Sequence, residues 1–449
     1  MSAHLSTAHL SSAPAGTIPA RRGICPGLSQ PLPTGDGLLV RLIPIGTIAL
    51  DAFAALCAAA RAHGNGIVEI TARGNIQVRG LTNLSAPRFA ADVAALGIAA
   101  EDGLPILCNP LAGLDAAEIF DATALAAALR HTLAGQSLSA RLDPKVSVTI
   151  DGGAPLGLAR VAADIRLCAQ WLDSAVALRL SVGGAEIDAF DLGVVAVDDG
   201  AEAIVRLLNL LAARGRGARA RDIVAAEGGA PFDAALASLR AHRRAAARLD
   251  HRAAPRQCKD AIGVHELRDG SLGHGIGLAF GHAEASTLEK LADAAAAAGA
   301  RGLRTAPDRS LLVIGLASGG AARWSVAAEQ LGFVTHAADP RRRVFACAGA
   351  PLCASAYIAA RALASSVAEA AAPYLSDGIT VHVSGCAKGC AHPTAASLTV
   401  VGTAATCALI ANGSARDTPF AAAPLRNLPQ RIANHLRDRS GTAESSPHV

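Results

Sequence analysis

Gly66-Ile67-Val68-Glu69-Ile70-Thr71-Ala72-Arg73-Gly74-Asn75-Ile76-Gln77-Val78 is the stretch whose reading decides the fold. Gly66 to Thr71 and Asn75 to Val78 each alternate apolar with polar residues, the period of a half-buried strand. Upstream, Leu38-Leu39-Val40-Arg41-Leu42 reads as extended, and Leu50 to Ala62 has helical periodicity. The segment Gly37 to Leu81 is therefore a strand, a helix and two further strands, which is one half of a two-layer sandwich.

A similar order returns later. His274 to Phe280 is strand-like and Ala285 to Ala298 helical, and Gly302-Leu303-Arg304-Thr305 with Leu311-Leu312-Val313-Ile314 reads as paired strands. Two ferredoxin-like halves follow from this. Lys145-Val146-Ser147-Val148-Thr149-Ile150-Asp151-Gly152-Gly153 also matches Gly378-Ile379-Thr380-Val381-His382-Val383-Ser384-Gly385, in pattern and in distance from its half. The chain reads as two copies of a two-part unit, an α+β (mixed α/β) protein. The expected divisions are a disordered tail over 1–20, a first half domain over 21–85 and a first larger α/β domain with connecting helices over 86–257. A second half domain over 258–320, a second larger α/β domain over 321–435 and a disordered tail over 436–449 complete the chain. Ala212 to Gln257, rich in Arg, Ala and Gly, is the connector, with Leu236 to Leu249 helical and Pro255 beyond.

Composition narrows the function. With 51% hydrophobic and 17% charged residues, the chain has a core to bury. Only 3% is aromatic, too little for a base-stacking platform. The formal charge of +4 over 449 residues is spread along the chain, which argues against nucleic acid as a partner. Met1 to Ala20 lacks a signal-peptide pattern, and no run approaches the roughly 18 apolar residues of a membrane span. A soluble, cytoplasmic protein is expected, without a membrane partner. In that compartment ten cysteines do not make a disulfide framework, so their spacing is read as ligand spacing.

Cys347-Ala-Gly-Ala-Pro-Leu-Cys353 and Cys386-Ala-Lys-Gly-Cys390 form C-x5-C and, after a helix and a strand, C-x3-C. Four thiolates suit the irons of a [4Fe-4S] cluster, and small intervening residues let backbone amides approach its sulfides. A structural zinc site, which favours closer C-x2-4-C pairs, and buried unliganded thiols are the alternatives. The first copy holds only Cys108 at the equivalent stretch, with Gly152 and Gly153 in place of the second pair, so one copy binds one cluster. Cys25, Cys57, Cys108, Cys168, Cys258 and Cys407 read as buried apolar residues, Cys25 in its Gly-Ile-Cys-Pro-Gly loop standing apart.

With these motifs in hand, residues 20 to 435 resemble the siroheme-dependent nitrite and sulfite reductases, which carry their cluster on C-x5-C and C-x3-C. The resemblance implies their fold of two ferredoxin-like halves and two larger domains. Thr71-Ala72-Arg73-Gly74-Asn75-Ile76-Gln77 is similar to a family segment whose arginine meets porphyrinoid carboxylates or the anionic substrate, so Arg73 inherits that candidacy. Of the family's Lys-x-Lys, Pro144-Lys145-Val146-Ser147 retains Lys145 and has Ser147 in second place. Leu104 to Asn109 lacks the arginine that the family has there. Losing two basic residues from the anion cage weakens the case for reducing a small anion, a reaction that needs protons and charge stabilisation.

The changed cage beside a retained cluster motif resembles the branch of this family that takes a tetrapyrrole as substrate instead of holding one as cofactor. Arg22-Gly23-Ile24-Cys25-Pro26-Gly27, leading to Pro33 through Arg41, and Pro110-Leu111-Ala112-Gly113-Leu114-Asp115 are similar to that branch. The resemblance implies a monooxygenase of aerobic cobalamin biosynthesis that hydroxylates precorrin-3A with dioxygen. It also implies a [4Fe-4S] cluster, a mononuclear non-haem iron and an external reductase as electron donor. A substrate rich in carboxylates gives a use to Arg41, Arg73, Gln77, Lys145, Arg304 and Arg309, and to Arg22 and Arg79. Each charge-assisted contact contributes about 1.5–3 kcal/mol, against the simpler reading of solvated strand-edge charges. No ligand set for a second iron emerges. His282-Ala283-Glu284 has H-x-E spacing but reads better as a solvated helix start, and His392 beside Cys390 is placed to lie near the cluster, although capping or packing explains it as well. Gly273-His-Gly275-Ile-Gly277 lies within a strand and makes no dinucleotide site. The competing readings are a siroheme sulfite or nitrite reductase, with siroheme as cofactor, and an electron-transfer protein using the cluster alone.

Overall fold

The computed structural model describes residues 26–101, 103–134, 138–239, 258–376 and 378–443. Arg22 to Cys25 lie outside the described residues, as does most of the helix expected over Leu236 to Leu249.

The opening stretch folds as its pattern dictates. Ile67–Ile70 and Ile76–Leu81 pair antiparallel, and Gly37–Leu42 pairs with the second of them. The helix Leu50–His63 buries Phe53, Leu56, Cys57, Ala59 and Ala60. In the second half Leu272–Gly277, Ser310–Leu316 and Gly302–Ala306 form the matching sheet, edged by Gly263–Glu266, and Ala285–Ala297 is the matching helix.

The two halves share one core. Phe53, Leu56, Phe89 and Ile76 of the first pack in the same cluster as Leu288, Leu291, Val313 and Trp324 of the second. They also exchange backbone: the strand His282–Glu284 completes the first half's sheet by pairing with Ile67–Ile70, and Ile48 pairs with Leu303. His282-Ala283-Glu284 is thus an edge strand of the opposite half, not a solvated helix start. Such an exchange is invisible to local periodicity, because its partner lies about 200 positions away.

The helices Ser85–Ala95 and Ser318–Gln330 belong to the halves as well. Phe89 and Val93 of one, and Trp324 and Ala328 of the other, sit in the shared core. The divisions expected at 85 and 320 therefore fall one helix too early.

Both larger domains repeat a single sheet plan. In the first, Ile106–Cys108, Val148–Asp151, Ala163–Leu172, Ala175–Gly184 and Phe190–Ala196 are neighbours in that order, with two parallel pairings and then two antiparallel ones. In the second, Val344–Ala346, Val381–Ser384, Ala396–Gly402, Cys407–Gly413 and Ala421–Ala423 have the same order and the same pairings. The duplicated stretches Lys145–Gly153 and Gly378–Gly385 contain the second strand of each sheet. The connector helices Ala220–Glu227 and Ala230–Ala235 pack on the first domain through Ile223 and Phe232.

The chain end departs from expectation. The helix Leu428–Ala443 continues through positions read as a disordered tail from 436, and Leu436 is 2% exposed. Leu428, Ile432 and Leu436 recur every four residues and pack with Ala364, Val367 and Ala371 of the helix Ala360–Ala371. The charged Arg437-Asp438-Arg439 beside this stripe disguises it.

Candidate functional site

Parallel pairing brings the two cysteine motifs together. Val344–Ala346 and Val381–Ser384 are registered so that Ala346 faces Val383, and both motifs leave the C-terminal ends of these strands. In open α/β sheets that edge is where ligands bind. The Gly385 N–H donates to Cys347 Sγ at 3.1 Å, joining one motif to the other. Burial raises the Cys390 thiol, and the neighbouring Cys347, Cys386 and Cys353 raise it further. All four sulfurs therefore lie within electrostatic reach of one another, and all four cysteines are free of disulfides.

Small residues make the motif loops tight. Gly349 sits at φ 69°, and a Cβ there would lie 2.3 Å from the Ala360 nitrogen. A Cβ on Gly35, in the first half's opening hairpin, would lie 2.1 Å from the Ala354 nitrogen and 2.9 Å from Cys353 Cα. The first half is thus pressed against the cysteine loop with no space for a side chain between them. Among the described residues no three His, Cys, Asp or Glu side chains converge closely enough for a single metal ion. Four thiols on two facing loops, with the Gly385 N–H already on Cys347 Sγ, are the donor set that a [4Fe-4S] cluster takes. The same geometry offers no ligand trio for a mononuclear iron among the described residues, and His282 with Glu284 does not form one.

A cavity of 430 Å³ lies between the first half, the first larger domain and the second half. Arg73, Arg130, Arg304, Asn75, Cys108 and Asn109 contribute its polar lining, and Ile43, Ile45, Ile106, Leu107 and Leu158 much of its apolar wall. Arg73 Nη1 donates to Ser147 Oγ at 3.2 Å, and its Nη2 donates to the Ala162 carbonyl at 2.8 Å. Arg304 Nη1 donates to the carbonyls of Pro110 and Ala112 at 3.1 and 2.9 Å, and its Nε donates to Thr47 Oγ1 at 2.8 Å. Arg130 Nη2 donates to Glu101 Oε1 at 2.7 Å and to the Ile106 carbonyl at 3.1 Å. Burial pushes the Cys108 thiol up to about 12, so it lines the wall as an inert, protonated group.

The expected site residues thus separate. Arg73 and Arg304 meet at the cavity. Lys145 is exposed, outside the cavity lining, and its backbone N–H caps Asp143 Oδ1. Arg41 and Gln77 bond each other on the sheet face turned to the second larger domain, with Arg41 Nε at 2.9 Å from Gln77 Oε1. Arg309 is turned away by its left-handed backbone, φ 64°. It donates to the carbonyls of Val344 and Arg342 at 3.1 and 2.9 Å and lies 4.7 Å over the Phe345 ring. Burial pulls it down to about 10. Arg309 is a tie between the second half and the cysteine-bearing strand, not a residue that faces the cavity. His392 stacks on the other partner of that tie, its ring 4.2 Å from Phe345.

Cavity and cysteines are linked through two loops. The Asp308 N–H donates to the Ala72 carbonyl at 3.0 Å, Gly74 packs on Ala306, and Arg309 continues to Val344, three residues before Cys347. Sequence reading missed Arg130 and Arg361. Arg130, on the helix Ala122–Ala134, lies in no motif, and Arg361 is distinguished only by opening the helix that leaves the first cysteine loop.

A duplicated pair of ferredoxin-like halves and larger domains, with C-x5-C and C-x3-C gathered at one sheet edge, defines the nitrite/sulfite reductase class of proteins. Residues 30–96 match the model of the nitrite/sulfite reductase ferredoxin-like half domain. Mycobacterium tuberculosis NirA aligns with a TM-score of 0.72 at 20% identity, over 89% of this chain and 80% of that one. A ferredoxin–nitrite reductase of Synechococcus elongatus is 25% identical over 83% of this chain and 77% of its own length. A precorrin-3B synthase of Sinorhizobium sp. is 40% identical over 410 residues, 91% of this chain and 86% of its own length. The chain belongs to the precorrin-3B synthase family of enzymes.

Proposed function

We propose that the protein converts precorrin-3A to precorrin-3B in aerobic cobalamin biosynthesis, as a cytoplasmic monooxygenase. One atom of dioxygen enters the substrate as a hydroxyl at C20 while a ring acetate closes to a lactone. The other oxygen atom leaves as water, with two electrons from an external reductase and two protons. Cys347, Cys353, Cys386 and Cys390 hold a [4Fe-4S] cluster, which when bound supplies electrons one at a time.

The observation that carries this reading is the make-up of the cavity wall. Where siroheme reductases need cations around a small anion, this wall presents Cys108 and Asn109, and the buried Ser147, outside the lining, braces Arg73. Arg73, Arg304 and Arg130, the last paired with Glu101, stand in a largely apolar cleft. That pattern suits the edge of a large organic polyanion better than sulfite or nitrite, since apolar surface binds the ring and a few placed cations fix its carboxylates. A volume of 430 Å³ admits part of a macrocycle, with the remainder outside.

Anaerobically purified protein incubated with precorrin-3A, a chemical reductant and 18O2 tests the reading. The product is expected to gain one labelled oxygen. Unlabelled product, or reduction of sulfite or nitrite with no tetrapyrrole turnover, would sink it.

A further inference from the structure

Outside the cavity lining, one buried carboxylate gathers the groups that hold Arg73. Asp164, 1% exposed, stands near the start of the strand Ala163–Leu172, beside Ser147 at the head of the neighbouring strand Val148–Asp151. Its Oδ1 accepts Arg219 Nε at 2.9 Å and the Ala220 N–H at 3.1 Å. Its Oδ2 accepts Arg219 Nη2 at 2.9 Å and the Ser147 N–H at 3.2 Å. Four donors fill the lone pairs of a carboxylate, so Asp164 holds groups in place and has nothing left for a ligand.

Part of this arrangement is a helix cap. The connector helix Ala220–Glu227 begins after Arg219, whose side chain has no acceptor with which to cap it, and Asp164 takes that place from elsewhere in the chain. A cap alone needs one oxygen. The other oxygen reaches Ser147, and the main chains reinforce the link, since the N–H groups of Asp164 and Ile165 donate to the Ser147 carbonyl at 3.0 and 3.3 Å. Ser147 is thereby held at both of its backbone polar groups.

Arg73 depends on the same two stretches of chain. Its Nη1 donates to Ser147 Oγ and its Nη2 to the Ala162 carbonyl. Asp164 bonds the first of these acceptors and stands two residues after the second, so a shift of Asp164 moves both and the guanidinium turns with them. We infer that Asp164 is a positioning residue for Arg73, coupling the direction of this cavity arginine to Arg219 and the connector helix. That the positioning serves substrate binding rests on the function proposed above, whereas the brace itself does not.

Two measurements on the full-length, anaerobically purified protein test brace and purpose separately. The variants are Asp164→Ala and Asp164→Ala/Arg219→Met, the second removing the ion pair as a whole so that neither charge is left without its partner. In the first measurement, with no tetrapyrrole present, phenylglyoxal modification of Arg73 is followed by peptide mass. A guanidinium released from its acceptors is more open to the reagent, and Arg73 is expected to react about two- to tenfold faster in both variants than in wild type. An unchanged rate, even with a lowered thermal midpoint, would leave Asp164 a helix cap and overturn the inference. In the second, uroporphyrin III is titrated into wild type, Asp164→Ala/Arg219→Met, Arg73→Met and the triple variant that joins them. Removing the ion pair is expected to weaken binding about two- to tenfold when Arg73 is present and to add nothing once it is gone. Equal weakening in both backgrounds, or none in either while Arg73→Met binds more weakly, overturns the inference. Faster modification of Arg73 in the variants, together with uroporphyrin III binding that Arg73→Met does not alter, upholds the brace and contradicts the cavity as a tetrapyrrole site.

Discussion

Arg73, in the loop between the strands Ile67–Ile70 and Ile76–Leu81, donates to Ser147 Oγ at 3.2 Å across the junction with the first larger domain. Ser147 is in the second place of Pro144-Lys145-Val146-Ser147, where the resemblance to the reductases implies a lysine. A cation there would repel the Arg73 guanidinium, whereas a hydroxyl accepts its hydrogen bond and fixes its direction. One substitution thus removes a charge and orients another.

Ser147→Ala is expected to loosen Arg73 without displacing its bond to the Ala162 carbonyl. Loss of a single hydrogen bond costs about 0.5–1.5 kcal/mol, so KM for the tetrapyrrole should rise by several-fold with kcat little changed. Arg73→Met should cost more, about 1.5–3 kcal/mol in kcat/KM, as loss of a charge-assisted contact. Steady-state kinetics of both variants checks this, and a Ser147→Ala effect equal to that of Arg73→Met would show that the two do not act as brace and contact.

Arg309→Met removes both bonds to the carbonyls of Val344 and Arg342 and the contact over Phe345. Because the guanidinium is buried between two domains, a destabilisation of about 2–4 kcal/mol is expected. Chemical denaturation should show it as a lower midpoint. If Arg309 instead served substrate, the variant would keep its midpoint and lose affinity.

His282 supplies a pH dependence. Its folded-state value of about 4 lies below the ordinary 6.5 because burial and Arg361 disfavour the imidazolium. Stability from this group is complete above about pH 6.5. It falls as the pH drops toward 4, where the unfolded chain binds a proton that the folded chain refuses. His282→Asn should flatten the stability profile between pH 6.5 and 4, by an amount on the order of a few kcal/mol. An unchanged slope would place the acid sensitivity elsewhere.

Leu436→Ala tests the chain end. A leucine buried among Leu428, Ile432 and the helix Ala360–Ala371 should cost about 2–5 kcal/mol when truncated. A substitution in a disordered tail would cost nothing measurable.

Where interactions are local or periodic, the sequence was readable. The strands around Arg73 and Val313, the helices from Leu50 and Ala285, and the cysteine pairs all follow from alternation, helical period and spacing. What it concealed depends on residues far apart in the chain. His282–Glu284 is a strand because Ile67–Ile70 accepts it, and Arg309 is held away from the cavity by the carbonyls of Val344 and Arg342 and the ring of Phe345. Arg361 pairs with Glu69, which only the fold brings opposite. The helix end from Leu436 was hidden for a different reason, since three charged neighbours outweighed one apolar stripe in a local reading. Among the expected site residues, Arg73 and Arg304 line the cavity, while Lys145 is exposed, outside the lining.

The most direct test of the account is the absorption spectrum, with iron and acid-labile sulfide content, of anaerobically purified wild type beside Cys386→Ser. Broad iron-sulfur absorption without siroheme bands, lost or strongly reduced in Cys386→Ser, is the predicted result. Stoichiometric siroheme in wild type, or an undiminished cluster in the variant, would contradict it.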